Sequence, residues 1–420
     1  MPPPSDVPLP ARTSVAGLAA LSVAAASRAA ARVAGVAEGE PDPQRIAVAY
    51  SSERWFRIDG LRPNAFAPLS GFFRTRDGWV RTHGNYPHHA AVLRAQLGLA
   101  ADADCEAAAL AFASTDAAAI SARIQSAGGL CVVVGGEQPR LDRTLRSQAL
   151  VEVHRLGAGS PVALPGAGDA RQPLQGVRVL DLTRVIAGPV GTRVLALLGA
   201  DVLRIDPPRL PEIEWQHLDT GHGKRSALLD LAAPADRRAF DELLADADVI
   251  ALGYRPAALA RLGLTPEALA ARRPGIVVLQ HSAWPDPARR GFDSLVQAEC
   301  GIAFIEGSAG QPGALPAQAL DHSTGYLMAA AAITLLERRS AEGGSWLART
   351  SLRRVAAELL GMPRTPEPRP DGSIDPSGRT QHFVVDGHEI TTSGPAIAYA
   401  GAPSAYPPPR PWGRDEPVWR

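Results

Sequence analysis

Lysine is almost absent from this chain, and so is any excess of charge of either sign. Lys plus Arg and Asp plus Glu each number 43 among 420 residues, so the formal net charge is zero. That balance argues against nucleic acid or an anionic membrane as the main partner. Cysteine is scarce: Cys105, Cys131 and Cys300 are scattered, with no CxxC pair. They form neither a disulfide framework nor a zinc site, and they fit a reducing, cytoplasmic setting. Long apolar runs are missing as well. The nearest to one, GLAALSVAAASRAAARVAG, is short, rich in Ala and interrupted by Arg28 and Arg32. It reads as a surface or packing helix, with no membrane span expected. The MPPPSDVPLPAR before it makes a poor signal-peptide start. GxGxxG, P-loop, GxSxG and HExxH patterns do not occur, which leaves dinucleotide, P-loop, elbow-serine and zincin chemistry without their fingerprints.

What is present separates into regions. Residues 1–46 hold a Pro-rich start and the Ala-rich helix. Residues 47–165 are mixed. There FFRTRDGWVRTHGNYPHHAAVLRAQLG reads as a strand, a turn at Asp77-Gly78, a second strand and a helix. Helices near 105–113 and 115–126 and the apolar strand LCVVV follow. GAGSPVALPGAGDARQP, at 157–173, is a linker by composition. Over 173–360 short apolar strands alternate with helices of about ten residues, the pattern of βαβ units and a parallel sheet. Residues 361–420 are Pro-rich, with one hairpin expected at HFVVDGHEITT. The fold class is therefore α/β: a Rossmann-like parallel domain beside a smaller α+β domain.

Ligands of a parallel sheet sit outside the carboxyl ends of its strands. Four places qualify by that rule or by their chemistry. LDLTRVIAGPVGTRV puts a strand, a turn and a helix start in sequence, either an anion-binding terminus or a packing turn. HGKRSALLD presents Lys224 and Arg225 at a strand entrance, where cations either grip phosphate or are simply solvated. GYRPAALARLG sets Arg255 after a strand and Arg261 on the next helix. ALDHSTGYLMAAAAITLLERR puts Asp321 at the threshold of an apolar helix, where it suits an N-cap first and a nucleophile second. HGNYPHH carries His83, His88 and His89 but lacks convergent partners for a metal, and reads as a surface turn.

Several of these stretches together resemble one family. PLQGVRVLDLTRVIAGPVGTRVLALLGADVLRIDPP, HGKRSALLDL, ADVIALGYRPAALARLGLTPEAL, GFDSLVQAECG and ALDHSTGYLMAAAAITLLERR with GGSWLARTSL occur in the order seen in class III CoA-transferases, the CaiB/BaiF or formyl-CoA transferase family. The resemblance covers about residues 173–360. It implies the CaiB/BaiF fold and transfer of CoA from an acyl-CoA thioester to a free carboxylic acid, with Asp321 as the nucleophile of a covalent intermediate. It further implies that Lys224, Arg225, Arg255 and Arg261, with Ile186 and Ala187, lie near the CoA nucleotide. Coenzyme A is then a substrate, with no permanently bound cofactor and no metal, and the protein is a homodimer. Racemases of the family carry a His in a GHD motif. Here the stretch is GFD, and Phe292 cannot shuttle a proton. His322 is a poor substitute, because neighbours on a helical turn point in different directions. An acyl-CoA racemase or isomerase, or a non-catalytic CoA-binding homologue, are the alternatives. The smaller domain of the family follows the catalytic half, whereas the similar segment here precedes it, so the domain order is rearranged.

Overall fold

The Ala-rich stretch forms a long helix, α1 (Val15–Ala34), which ends at Gly35 in the left-handed conformation that glycine adopts without strain. Small side chains along most of its length let it lie inside the main core rather than on the surface. The short helix α2 (Pro43–Tyr50) follows, its N-terminus closed by Asp42, which accepts from the backbone of Gln44 and Arg45 at 2.7 and 3.0 Å. The computed structural model describes residues 6–368 and 374–420. Parts of the Pro-rich start (1–5) and Pro-rich tail (369–373) lie outside the described residues.

After β1 (Arg57–Ile58), the expected hairpin is present as β2 (Phe72–Arg74) and β3 (Trp79–Thr82), antiparallel around Asp77-Gly78. Helices α3 (Pro87–Leu97), α4 (Cys105–Ala113) and α5 (Ala117–Ser126) lead to β4 (Cys131–Val133), which pairs with β3. Phe73 stacks on Phe112 at 4.8 Å inside a separate small core. The next strand, β5 (Glu152–Gly157), leaves this unit for the large sheet.

Along the βαβ region run β6 (Arg178–Leu182), α6 (Ala187–Leu197), β7 (Asp201–Asp206), β8 (Arg225–Leu228), α7 (Pro234–Ala245) and β9 (Val249–Leu252). Then come α8 (Pro256–Arg261), α9 (Pro266–Arg272), β10 (Val277–Ser282), α10 (Asp293–Glu299), α11 (Ala319–Glu342) and β11 (Ser345–Ser351). The sheet order is β5-β11-β10-β9-β6-β7-β8. All neighbours are parallel except β5, which closes the edge antiparallel to β11. Strand alternation divides the side chains between two faces. Val179, Val202, Val249 and Val277 join the core with α1, α6 and α11, while Leu180, Leu203, Ile250 and Val278 join the core with α7, α8 and α9. The order reverses between β6 and β9, and the crevice at such a switch point is where doubly wound sheets bind ligands. The tail hairpin is β12 (Thr380–Val385) and β13 (His388–Ser393), with β1 added to β13.

Two glycines set the depth of α11 against α6. A Cβ on Gly191 would meet the Gly325 carbonyl at 2.9 Å, and one on Gly325 would meet the Ala187 carbonyl at 2.6 Å. This close crossing brings the first turn of α11 beside the start of α6 at the switch point. Arg339 in the last turn is buried, and donates to Asp248 and the Gly275 carbonyl at 2.9 and 3.1 Å. The cation that suits the helix end also ties it to the sheet. Among the described residues no helix is long and apolar enough to cross a membrane.

Candidate active site

A cavity of about 590 Å³ opens at the switch point. The loop after β6 contributes Arg184 and Val185, the start of α6 contributes Ala187, and the loop after β9 contributes Tyr254 and Arg255. A smaller cavity of about 50 Å³ adjoins it. Val185, Phe292 and Asp321 are common to both walls. Val185 has φ 69°, a left-handed conformation rare for a β-branched residue. Such strain costs about 1–3 kcal/mol and is typical of residues held for a site.

Asp321 is not the helix cap. The N-cap position of α11 is Gln318, with no side-chain cap bond, and Asp321 lies within the first turn. Capping is done from another helix: Asp293 of α10 accepts the Asp321 backbone N–H at 2.9 Å. The other oxygen of Asp293 accepts from Gln297 at 2.5 Å. Among the described residues no donor reaches the Asp321 carboxylate. Burial, and then repulsion from Asp293, hold the Asp321 carboxyl well above its usual range. Burial raises Asp293 as well, against the pull of its backbone hydrogen bonds. An ionised Asp321 is therefore a carboxylate whose lone pairs are unspent. Replacing Asp293 by Asn removes the repulsion, so the acid limb of any activity that needs ionised Asp321 should move to lower pH. A pH–rate profile in both forms checks this, and an unmoved limb would exclude electrostatic control by Asp293.

The remaining sequence-predicted residues divide. Arg255 and Ala187 line the large cavity, and Ile186 lines the small one. Arg261 is exposed and absent from either wall. The helical period explains why: Arg255, Ala258, Leu259 and Leu262 share the face turned to the cavity, and Arg261 lies off it. Lys224 is buried, with its Nζ donating to the Pro189 carbonyl, Thr192 and Asp181 at 2.8, 2.6 and 3.1 Å. Arg225 pairs with Asp201 at 2.8 Å and donates to the Val418 carbonyl. Neither is presented to the cavities. His322 stacks on Tyr50 at 5.1 Å and lines neither cavity, as expected from the divergence of neighbours on one turn.

Other residues reach the site without having been singled out for it. Arg290, just ahead of GFD, is on the large wall. Burial and then the nearby Arg255 depress its pKa, so two like charges face each other there. Among the described residues neither has a carboxylate partner, whereas Arg184 is paired with Glu212 at 3.3 Å and Arg289 with Glu299 at 2.5 Å. The HGNYPHH stretch is not a surface turn. His88 and His89 line the large cavity and His83 the small one, with the His83 ring flat against Phe292 at 3.8 Å. Burial pushes both His83 and His89 down to about 3, so each is neutral at physiological pH. Tyr86, between them, donates to Glu212 at 2.5 Å. Glu212 also receives Arg204 at 2.7 Å, which locks this segment to the large sheet.

The model of CoA-transferase family III matches residues 174–384. A probable fatty acyl-CoA transferase of Mycobacterium tuberculosis is 29% identical over 214 residues, or 47% of this chain and 54% of that protein. An acyl-CoA transferase of Gibberella moniliformis is 36% identical over 207 residues, or 46% of this chain and 36% of that protein. A solved CAIB/BAIF family protein from Brucella suis is 25% identical, with 52% of this chain and 65% of that one covered at a TM-score of 0.41. The chain spans roughly a third to a half of the length of these two curated relatives.

Proposed function

Because the chain belongs to CoA-transferase family III, we propose that it moves CoA from an acyl-CoA thioester to a free carboxylic acid, with Asp321 as nucleophile. One observation carries this reading: a carboxylate with no hydrogen bond spent stands on the shared wall of the two cavities, inside the first turn of α11. The larger cavity is of a size to hold the nucleotide and pantetheine arm. Arg255 and Arg290 would meet the phosphates, and the backbone at Ile186 and Ala187, where α6 begins, would favour an anion.

The steps balance without an outside reagent. The Asp321 carboxylate attacks the thioester carbonyl, the C–S bond breaks, and CoA thiolate leaves a mixed anhydride. The thiolate attacks the aspartyl carbonyl and expels the donor acid, leaving an aspartyl–CoA thioester. The acceptor carboxylate attacks that thioester and again releases thiolate. The thiolate then takes the acceptor acyl group and frees Asp321. Each step keeps the acyl activation energy in a covalent bond. The positive end of α11 favours the charged form of Asp321 and the oxyanions that develop beside it.

Intact-protein and peptide mass spectrometry with an acyl-CoA panel and hydroxylamine tests the reading. Modification of the peptide holding Asp321, absent in Asp321→Asn, is the expected result. No modification by any thioester that binds would overturn it. Arg255→Ala should raise the KM for CoA thioesters by about tenfold, the worth of a charged hydrogen bond, with little change in kcat. Arg261→Ala should change neither constant.

A second reading has one observation in its favour. His83 brings an imidazole against Phe292, at the position where the racemases of this family carry their histidine. Its low basicity weighs against α-proton abstraction. Deuterium uptake from solvent at the acyl α-carbon would establish that reading instead.

A further inference from the structure

One buried carboxylate reaches the shared wall of the two cavities from two sides, yet lines neither cavity. It is Glu212, on the loop after β7, with a side chain only 1% exposed. Its Oε2 accepts from the Val185 backbone N–H at 3.3 Å and from Arg204 at 2.7 Å. Its Oε1 accepts from the Tyr86 hydroxyl at 2.5 Å and from Arg184 at 3.3 Å. The Tyr86 ring in turn stacks on Phe292, with centres 6.4 Å apart. Val185 and Phe292 are two of the three residues common to both cavity walls, and the third is Asp321.

The arginines do not explain this residue by themselves. Arg204 already has Asp206, at 2.6 and 3.1 Å, and Arg184 has the Pro211 carbonyl at 2.8 Å. What Glu212 adds is a hold on Val185 and Tyr86. Val185 needs one: its φ of 69° is disfavoured for a β-branched residue and persists only where the surroundings enforce it. Burial works against the Glu212 charge, but Arg204 and then Arg184 draw its pKa down to about 2. The bonds it accepts from N–H and O–H are therefore of the strong, charge-assisted kind.

We infer that Glu212 is a positioning residue of the transfer site: it holds Val185 in its left-handed conformation and, through Tyr86, holds Phe292, and so sets the frame in which the thioester carbonyl meets Asp321. The inference rests on the CoA-transfer reading for its effect on rate. Arg255 and Arg290, assigned above to the phosphates, are not its partners, so its loss should be felt in the rate of attack rather than in binding.

The rate at which a thioester labels Asp321, followed by mass spectrometry on the full chain across thioester concentration, gives a maximal rate and a half-saturating concentration. The probe is whichever of acetyl-, butyryl- and succinyl-CoA labels the native chain fastest. Glu212→Gln keeps the volume and removes the charge. It should lower the maximal rate about tenfold to a hundredfold and leave the half-saturating concentration within about twofold. Val185→Gly supplies the second arm. Glycine takes a φ of 69° without being held, so in that background Glu212→Gln should cost only about threefold or less. A maximal rate unchanged by Glu212→Gln would overturn the inference. An equal fall in both backgrounds would overturn it too, because that belongs to a residue serving only the fold. Tyr86→Phe leaves every buried charge in place and covers the case in which Glu212→Gln does not fold. It should lower the maximal rate at an unchanged half-saturating concentration, and a native rate would count against the inference equally. Hydrogen exchange separates this inference from the transfer reading. The peptide over 183–187 should lose protection in Glu212→Gln while β6 keeps its own. That loss, in a protein whose Asp321 no thioester labels, refutes transfer and leaves Glu212 as the holder of Val185. Labelling of Asp321 at the native rate in Glu212→Gln refutes the positioning role and leaves transfer.

Discussion

Asp321→Asn should fold, bind CoA thioesters and lose transfer by on the order of a thousandfold or more, because it removes the atom that forms the covalent bond. The same substitution should raise the melting temperature at neutral pH. In the native chain, burial and then Asp293 hold the Asp321 carboxyl well above its usual range. A group with a raised folded-state pKa contributes its stability fully below the unfolded value, and that stability is lost as pH rises through the folded value. Asn has no proton to lose, so it escapes this loss. The gain in melting temperature should therefore vanish in acid and grow toward neutral pH. Activity has the opposite sign: transfer needs the ionised form, so its acid limb should lie above the ordinary carboxylate range of about 4. Thermal melts of both proteins across pH, together with a pH–rate profile of the native one, measure all three effects. A variant that transfers at the native rate would reduce Asp321 to a structural residue. One destabilised equally at every pH would show that its carboxylate holds the fold together.

The strands and helices of the βαβ region were legible because period two and period 3.6 leave different marks, and turn residues divide them. The hairpin at Asp77-Gly78 and the tail hairpin could be read for the same reason. Partnerships across the chain could not. Nothing local to VEVHRLG says that it adds an antiparallel edge to β11, or that α1 packs inside the core of the large sheet. The site shows the same division. Asp321 stands out because a carboxylate at the start of an apolar helix needs a reason. Whether it caps depends on where the helix begins, and α11 starts two residues before it. Asp293 performs the capping, a role that GFD does not announce. HGNYPHH resembles a solvated turn in sequence, and contacts with residues far along the chain, Tyr86 with Glu212 and His83 with Phe292, carry it to the cavities. Arg261 is a different case. Its helical phase relative to Arg255 was available in the sequence and already turned it away from the face that lines the cavity.

Lys224 separates a buried support from a ligand contact most sharply. It is the chain's single lysine, and its Nζ is held by Asp181, Thr192 and the Pro189 carbonyl. Burial draws it down to about 8 despite the attraction of Asp181, so it still carries its charge at pH 7. Asp181 is fully buried too. Burial works against its charge, yet Lys224, Arg204 and two threonine hydroxyls keep its pKa below the usual range. Thr183 and Thr192 donate to it at 2.5 Å each. This cluster fastens the end of β6 to α6, and so fixes the loop that carries Val185, Ile186 and Ala187. Lys224→Met keeps the volume and removes the charge, leaving Asp181 buried without its cation. Breaking a buried pair in this way costs about 3–5 kcal/mol. Lys224→Arg should not rescue it, since a planar fork does not fit a site shaped for a compact ammonium. Adding Asp181→Asn to Lys224→Met should recover part of the loss, because the stranded charge goes with it. Denaturant melts give the stabilities, and calorimetry on the folded fraction gives the affinity for CoA thioesters, which should stay near native. A Lys224→Met chain of native stability with weakened CoA binding would return this lysine to the nucleotide and show that the buried pair is dispensable.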